Sequence, residues 1–106
     1  MERIYNKLVR DKIPEIIIAQ GETAITRILN EADYKEELER KLSEECQEVV
    51  AANGIERIEE LADMLEVIRA LGKLENVTIE EIMKIANEKK AKRGAFNNKI
   101  FLEKVI

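Results

Sequence analysis

Apolar residues recur at helical spacing along most of this chain. At about 100° per residue, Tyr34, Leu38, Leu42, Val49 and Ala52 share one stripe, with Cys46 at its margin. That stripe predicts a long helix opened by Asn30 with Asp33 and running to about Asn53-Gly54. A second apolar arc, through Ile58, Leu61, Met64, Leu65, Val67, Ile68 and Leu71, predicts a helix over about Ile55–Gly72. Thr78 and Glu81 make a capping box, and Val77 with Ile82 a hydrophobic staple, for a further helix that Gly94 ends. Ahead of these, Asp11 is placed to cap a short helix through about Gln20, with Pro14 in its first turn and Gly21 as its stop. Two stretches follow another period. Thr23–Leu29 is β-rich and partly alternating, and Lys99–Val105 has similar character. The expected architecture is therefore an all-α, four-helix bundle, with a short β pairing of 23–29 with 99–105. No repeat or linker divides the chain, so 1–106 reads as one domain.

Both long helices break their own pattern in the same way. Glu45 projects inside the apolar stripe of its helix, between Tyr34 and Leu38, and Glu48 lies one step off that edge. On the next helix Glu60 projects between Val67 and Leu71, and Asp63 flanks it one turn later. Each helix thus carries an acidic pair at i, i+3 on the rim of a hydrophobic face. Burying an unpaired carboxylate costs several kcal/mol, on the order of the stability of a small domain. A shared divalent cation removes the conflict, and hard oxygen ligands suit Mg²⁺ or Mn²⁺. The competing reading is a solvated acidic face, with partners such as Lys41, one turn from Glu45, neutralising part of it.

Composition narrows the chemistry. With 45% hydrophobic and 38% charged residues, four Gly and one Pro, the chain is rich in helix formers and poor in breakers. A chain of 106 residues leaves much of its surface exposed, so partner subunits are a natural source of extra core. Lys+Arg 18 against Asp+Glu 22 gives a net charge of −4, which argues against a general nucleic-acid binder. One cysteine permits no intrachain disulfide. No apolar run approaches a membrane span, and Glu2-Arg3 does not open a signal peptide. A cytoplasmic location, away from membranes, is the expectation. Histidine is absent, so catalysis has to rest on carboxylates, Lys, Arg or a hard metal ion, and a di-iron bundle built on Glu-x-x-His pairs is excluded.

The string Glu44-Glu45-Cys46-Gln47-Glu48, followed by Glu60-Leu61-Ala62-Asp63, resembles the EExxE…ExxD pattern of the MazG-type, all-α nucleoside triphosphate pyrophosphohydrolases. The opening Asn6-Lys7-Leu8-Val9-Arg10-Asp11-Lys12-Ile13-Pro14 is similar to a phosphoribosyl-ATP pyrophosphohydrolase-like subgroup of that superfamily. So is the closing Arg93-Gly94-Ala95-Phe96, although that subgroup often has Gly-Gly where this chain has Gly94-Ala95. The resemblance implies a helical bundle completed by dimerisation, as a homodimer or homotetramer. It implies Mg²⁺, with Mn²⁺ also suited, held by Glu45, Glu48, Glu60 and Asp63. Glu44 and Glu45 would be the catalytic acids, Glu44 orienting or deprotonating water. Asn87, Lys89 and Arg93 match a phosphate-contact pattern, and Arg10, Lys12 and Lys41 complete the candidate substrate contacts.

The implied activity is hydrolysis of a nucleoside triphosphate to monophosphate and pyrophosphate, clearing modified or surplus nucleotides. Two alternatives stay open. One is the phosphoribosyl-ATP pyrophosphohydrolase of histidine biosynthesis, the other a non-catalytic helical dimerisation module. The basic groups have plainer readings as well. Lys89, Lys90, Lys92 and Arg93 meet the dipole at a helix C-terminus, and Lys7, Arg10 and Lys12 could be surface residues around a helix start. Cys46 is expected in the core, not as a nucleophile.

Overall fold

A computed structural model describes residues 2–106, in four helices: α1 Ile13–Ala19, α2 Glu31–Ala51, α3 Gly54–Leu74 and α4 Ile79–Arg93. The helices arise where the periodicity places them. Asn30 caps α2, its Oδ1 accepting from the Asp33 N–H at 2.8 Å. Thr78 caps α4 in the same manner, its hydroxyl accepting from the Glu81 N–H at 3.2 Å. The second half of that capping box is absent, because the Thr78 hydroxyl itself donates to the Glu81 carboxylate at 3.4 Å.

α2 and α3 form an antiparallel hairpin, and α4 touches only α3. The hairpin turn is tied by Arg57 in the first turns of α3. Its Nε donates to the carbonyls of Ala52 at 2.8 Å and Val49 at 3.1 Å, setting a cation on the unsatisfied end of α2. Arg57→Ala is expected to destabilise the protein by about 1 kcal/mol, read as a lower urea midpoint. Substitution of the unpaired Lys84 on α4 should leave that midpoint in place.

Several expectations need correction. α1 is not capped by Asp11. Lys12 occupies the cap with no side-chain bond, and the helix begins in a turn closed by the Ile13 N–H on the Arg10 carbonyl at 3.1 Å. Its far end is as expected. Gly21 at φ 85° places its own N–H on Ile18 and that of Glu22 on Ile17, the Schellman arrangement that a residue with φ > 0 permits. α3 passes its expected end at about Gly72. The helix runs on to Leu74, and the same arrangement is then built by Asn76 at φ 60°. Gly72 lets α4 come close, since a Cβ there would lie 2.7 Å from Ile82 Cδ1 and 3.5 Å from Val77 Cγ2. Cys46 is exposed, not buried, because α3 packs against the other side of its stripe.

The pairing of 23–29 with 99–105 is not formed, and no strand occurs among the described residues. A two-stranded ribbon is marginal without an apolar face to bury. Here nothing covers either stretch: Ile25 is 92% exposed and Phe101 87%.

One chain buries little. Leu38, Val67 and Ile79 are the buried apolar residues among those described, while Ile58, Leu61 and Leu65, one flank of the α3 arc, stay open. The radius of gyration is 18.2 Å, against about 13 Å for a compact domain of this length. No helix of the described residues is long and apolar enough to cross a membrane.

Candidate metal centre

The α2–α3 hairpin brings the anomalous acids face to face. Glu45 comes from the buried side of α2 and Glu60 and Asp63 from successive turns of α3. Each offers a carboxylate oxygen, and the three lie within 4.8 Å of one another. Glu45 is only 7% exposed, and Glu60 and Asp63 are half-buried. Glu45 Oε2 and Glu60 Oε2 are both shielded from solvent and lack any hydrogen-bond partner. Buried carboxylate oxygens normally find donors. These two face other carboxylates instead.

That crowding alters their protonation. Burial is the main cause raising Glu45 above its ordinary value, reinforced by the charges of Glu48 and Asp63 and opposed by Lys41. Glu60 rises further, to about 7, first because a proton on it could be shared with the Glu48 carboxylate, and then through desolvation and the charges of Glu48, Asp63 and Glu45. An all-oxygen donor set with unpartnered, partly desolvated carboxylates fits a hard divalent cation.

Around this core lies a ring of cations. Lys41 Nζ stands 3.9 Å from Glu44 Oε2 and 4.0 Å from Glu45 Oε1. Lys7 donates to Glu44 at 3.0 Å, and Arg10 donates to Asp63 Oδ1 at 2.8 Å. The Lys7 bond holds Glu44 below the usual carboxylate range, with Lys41 acting in the same direction, and raises Lys7 in turn.

Of the residues singled out in the sequence, Glu44, Glu45, Glu48, Glu60, Asp63, Lys41 and Arg10 are thus gathered at one place. Glu48 is exposed and reaches the group through Glu45 and Glu60. Lys12 is exposed on the cap of α1. Asn87, Lys89 and Arg93 are exposed on α4, which packs on α3 but not on α2, and none of the three bonds to or ion-pairs with the acids. Lys7 was read from the sequence only as a surface residue around a helix start, and Arg57 was not picked out. Lys7 stands in a basic opening stretch where neighbours give no hint of a partner 37 positions away. Arg57 carried a legible sign, a cation just past an Asn-Gly turn.

The raised pKa values fix a pH dependence for the metal-free protein. Between 4.5, where an unfolded Glu titrates, and about 7, the folded Glu60 keeps a proton that the unfolded chain has released. Stability therefore falls as pH rises through that window and levels off above it. A cation takes the place of the proton, so Mg²⁺ should raise the melting temperature much more at pH 8 than at pH 5.5. Equal shifts at both pH values would place the cation elsewhere.

No family model matches the chain, and no solved structure matches it. The chain is similar to an uncharacterized protein of Mycolicibacterium smegmatis, 47% identical over 47 residues. The match covers 44% of this chain and 48% of that protein, about half the length of each. It brings no activity with it.

Proposed function

We propose that this chain is an Mg²⁺-dependent nucleoside triphosphate pyrophosphohydrolase of the MazG-like kind, acting as a homodimer or a dimer of dimers. The observation that carries the reading is the convergence of Glu45, Glu60 and Asp63 from two helices, with two buried oxygens left unpartnered. Packing forces alone would fill that position with apolar side chains.

Glu45, Glu60 and Asp63 would hold the cation, with Glu48 swinging in from the rim. Bound there, Mg²⁺ supplies charge neutralisation for the triphosphate and lowers the pKa of water. The chain's own residues do the rest. Glu44, kept ionised by Lys7 and Lys41, is a weak base but a steady acceptor, which suits orienting the attacking water. Lys41 and Arg10 already stand among the acids and can meet phosphate oxygens. Asn87, Lys89 and Arg93, which bond to none of the acids within one chain, would join the site from a second copy. The open flank Ile58, Leu61 and Leu65 and the extended shape of one chain support such an assembly. Clearance of modified or surplus nucleotides is the preferred role, and a cytoplasmic setting suits it.

The test is pyrophosphate release from a panel of nucleoside triphosphates, modified ones and phosphoribosyl-ATP included, with Mg²⁺. Release from phosphoribosyl-ATP alone would select the biosynthetic reading. Release from none would leave the non-catalytic dimerisation module. That module also predicts no thermal shift with Mg²⁺ and nucleotide, whereas ligand at 100 times its Kd should add about 2.7 kcal/mol. Light scattering should give at least twice the 12.2 kDa of one chain.

A further inference from the structure

We infer that the stretch 7–10 is an electrostatic strap across the acidic site, one that a divalent cation releases and an anionic phosphate ligand draws back. This rests on the metal site proposed above but concerns a different element. The stretch lies outside any helix, and α1 behind it packs on none of the other helices. Ile4, Tyr5 and Val9 are exposed and Leu8 alone is half-buried, so little apolar burial fastens this part of the chain. What joins it to the hairpin is charge. Lys7 bonds Glu44 on α2 at 3.0 Å, and Arg10 bonds Asp63 on α3 at 2.8 Å. Two cations three residues apart thus bridge the two helices that carry the acids. The remaining ion pair of the arm, Arg3 with Glu22, reaches only the segment after α1 and leaves the site alone.

Both pairs are solvent-accessible, with Arg10 58% and Asp63 47% exposed at the side chain. Such pairs are weak and exchange partners readily. A cation that takes the Asp63 carboxylate removes the charge holding Arg10. The freed guanidinium then presents a planar fork toward the same spot, a geometry that matches phosphate oxygens in pairs. The Arg10 end of the strap is accordingly closed in the metal-free chain, open with metal alone, and closed again over metal with phosphates, while Lys7 on Glu44 is the hinge about which it moves.

Trypsin cleavage after Lys7 and Arg10 in the full-length protein, followed by mass spectrometry, reports the strap, and calorimetry reports binding. Mn²⁺ alone should speed cleavage, and Mn²⁺ with inorganic tripolyphosphate should slow it below the metal-free rate. Arg10→Gln should bind Mn²⁺ about two- to fivefold more tightly, the range an exposed ion pair sets, yet bind tripolyphosphate in the presence of Mn²⁺ more weakly. Arg3→Gln loses the same charge from the same arm and should change neither. If Mn²⁺ binds but leaves the cleavage rate unaltered, or if Arg10→Gln and Arg3→Gln behave alike, the strap is wrong and the metal centre stands. If the wild-type protein binds no Mn²⁺, the metal centre fails and the release step fails with it.

Discussion

Asp63→Asn is expected to lower Mg²⁺-dependent pyrophosphate release about 100-fold or more while leaving the helical content and the oligomer in place. Asp63 is the acid at which the two roles of the site meet, as a member of the converging trio and as the acceptor of Arg10. An amide of the same shape keeps a hydrogen bond to Arg10 but offers a neutral oxygen to the cation, and loss of even an outer partner of a metal ligand commonly costs 10–100-fold. Steady-state turnover and circular dichroism on one preparation separate the two effects. Retained turnover in the variant would move the site off α3.

Glu45→Leu should act in opposite directions on stability and function. The side chain is almost wholly buried in an apolar stripe, its Oε2 has no partner, and its neighbours are other acids apart from Lys41, 4.0 Å from Oε1. Replacing such a group by an apolar residue of similar volume commonly stabilises a protein by about 1–3 kcal/mol. The metal-free variant should therefore melt later than wild type, and by a wider margin at pH 8 than at pH 5, because wild-type Glu45 is the more readily protonated at low pH. Mg²⁺ should no longer shift its melting temperature. A variant less stable than wild type at pH 8 would mean that the Lys41 contact outweighs the cost of burying the carboxylate, and the argument that the site needs a cation would fall with it. The same conflict explains why the position is acidic at all: stability alone favours leucine there.

The acids were legible in the sequence because a charge on an apolar stripe is a local contradiction, and a 3.6-residue period exposes it in one helix at a time. Glu45 and Glu60 were found in that way, and both are the residues with shielded, unpartnered oxygens. The helix limits were legible for the same reason, since caps such as Asn30 and Thr78 act on neighbours three residues off. The role of Gly72 was not legible. It depends on Ile82, ten positions away, and not on the backbone conformation its own sequence neighbours suggest.

Lys7 and Arg10 could not be assigned partners from spacing, because each crosses to a helix more than thirty positions distant. The 23–29 and 99–105 stretches show the reverse case. Their β pattern is real, but a strand forms only when another strand and a covering face are present, and one chain provides neither.

The sequence by itself determined four helices, the caps of α2 and α4 and the acids that violate the apolar stripes, since all of these follow from interactions within one or two helical turns. Only the tertiary structure decided that Glu45, Glu60 and Asp63 meet, that two cations from the arm lie across them, and that one flank of α3 is left open. Those outcomes depend on how the α2–α3 hairpin closes, and closure is set by packing between residues that no local period connects.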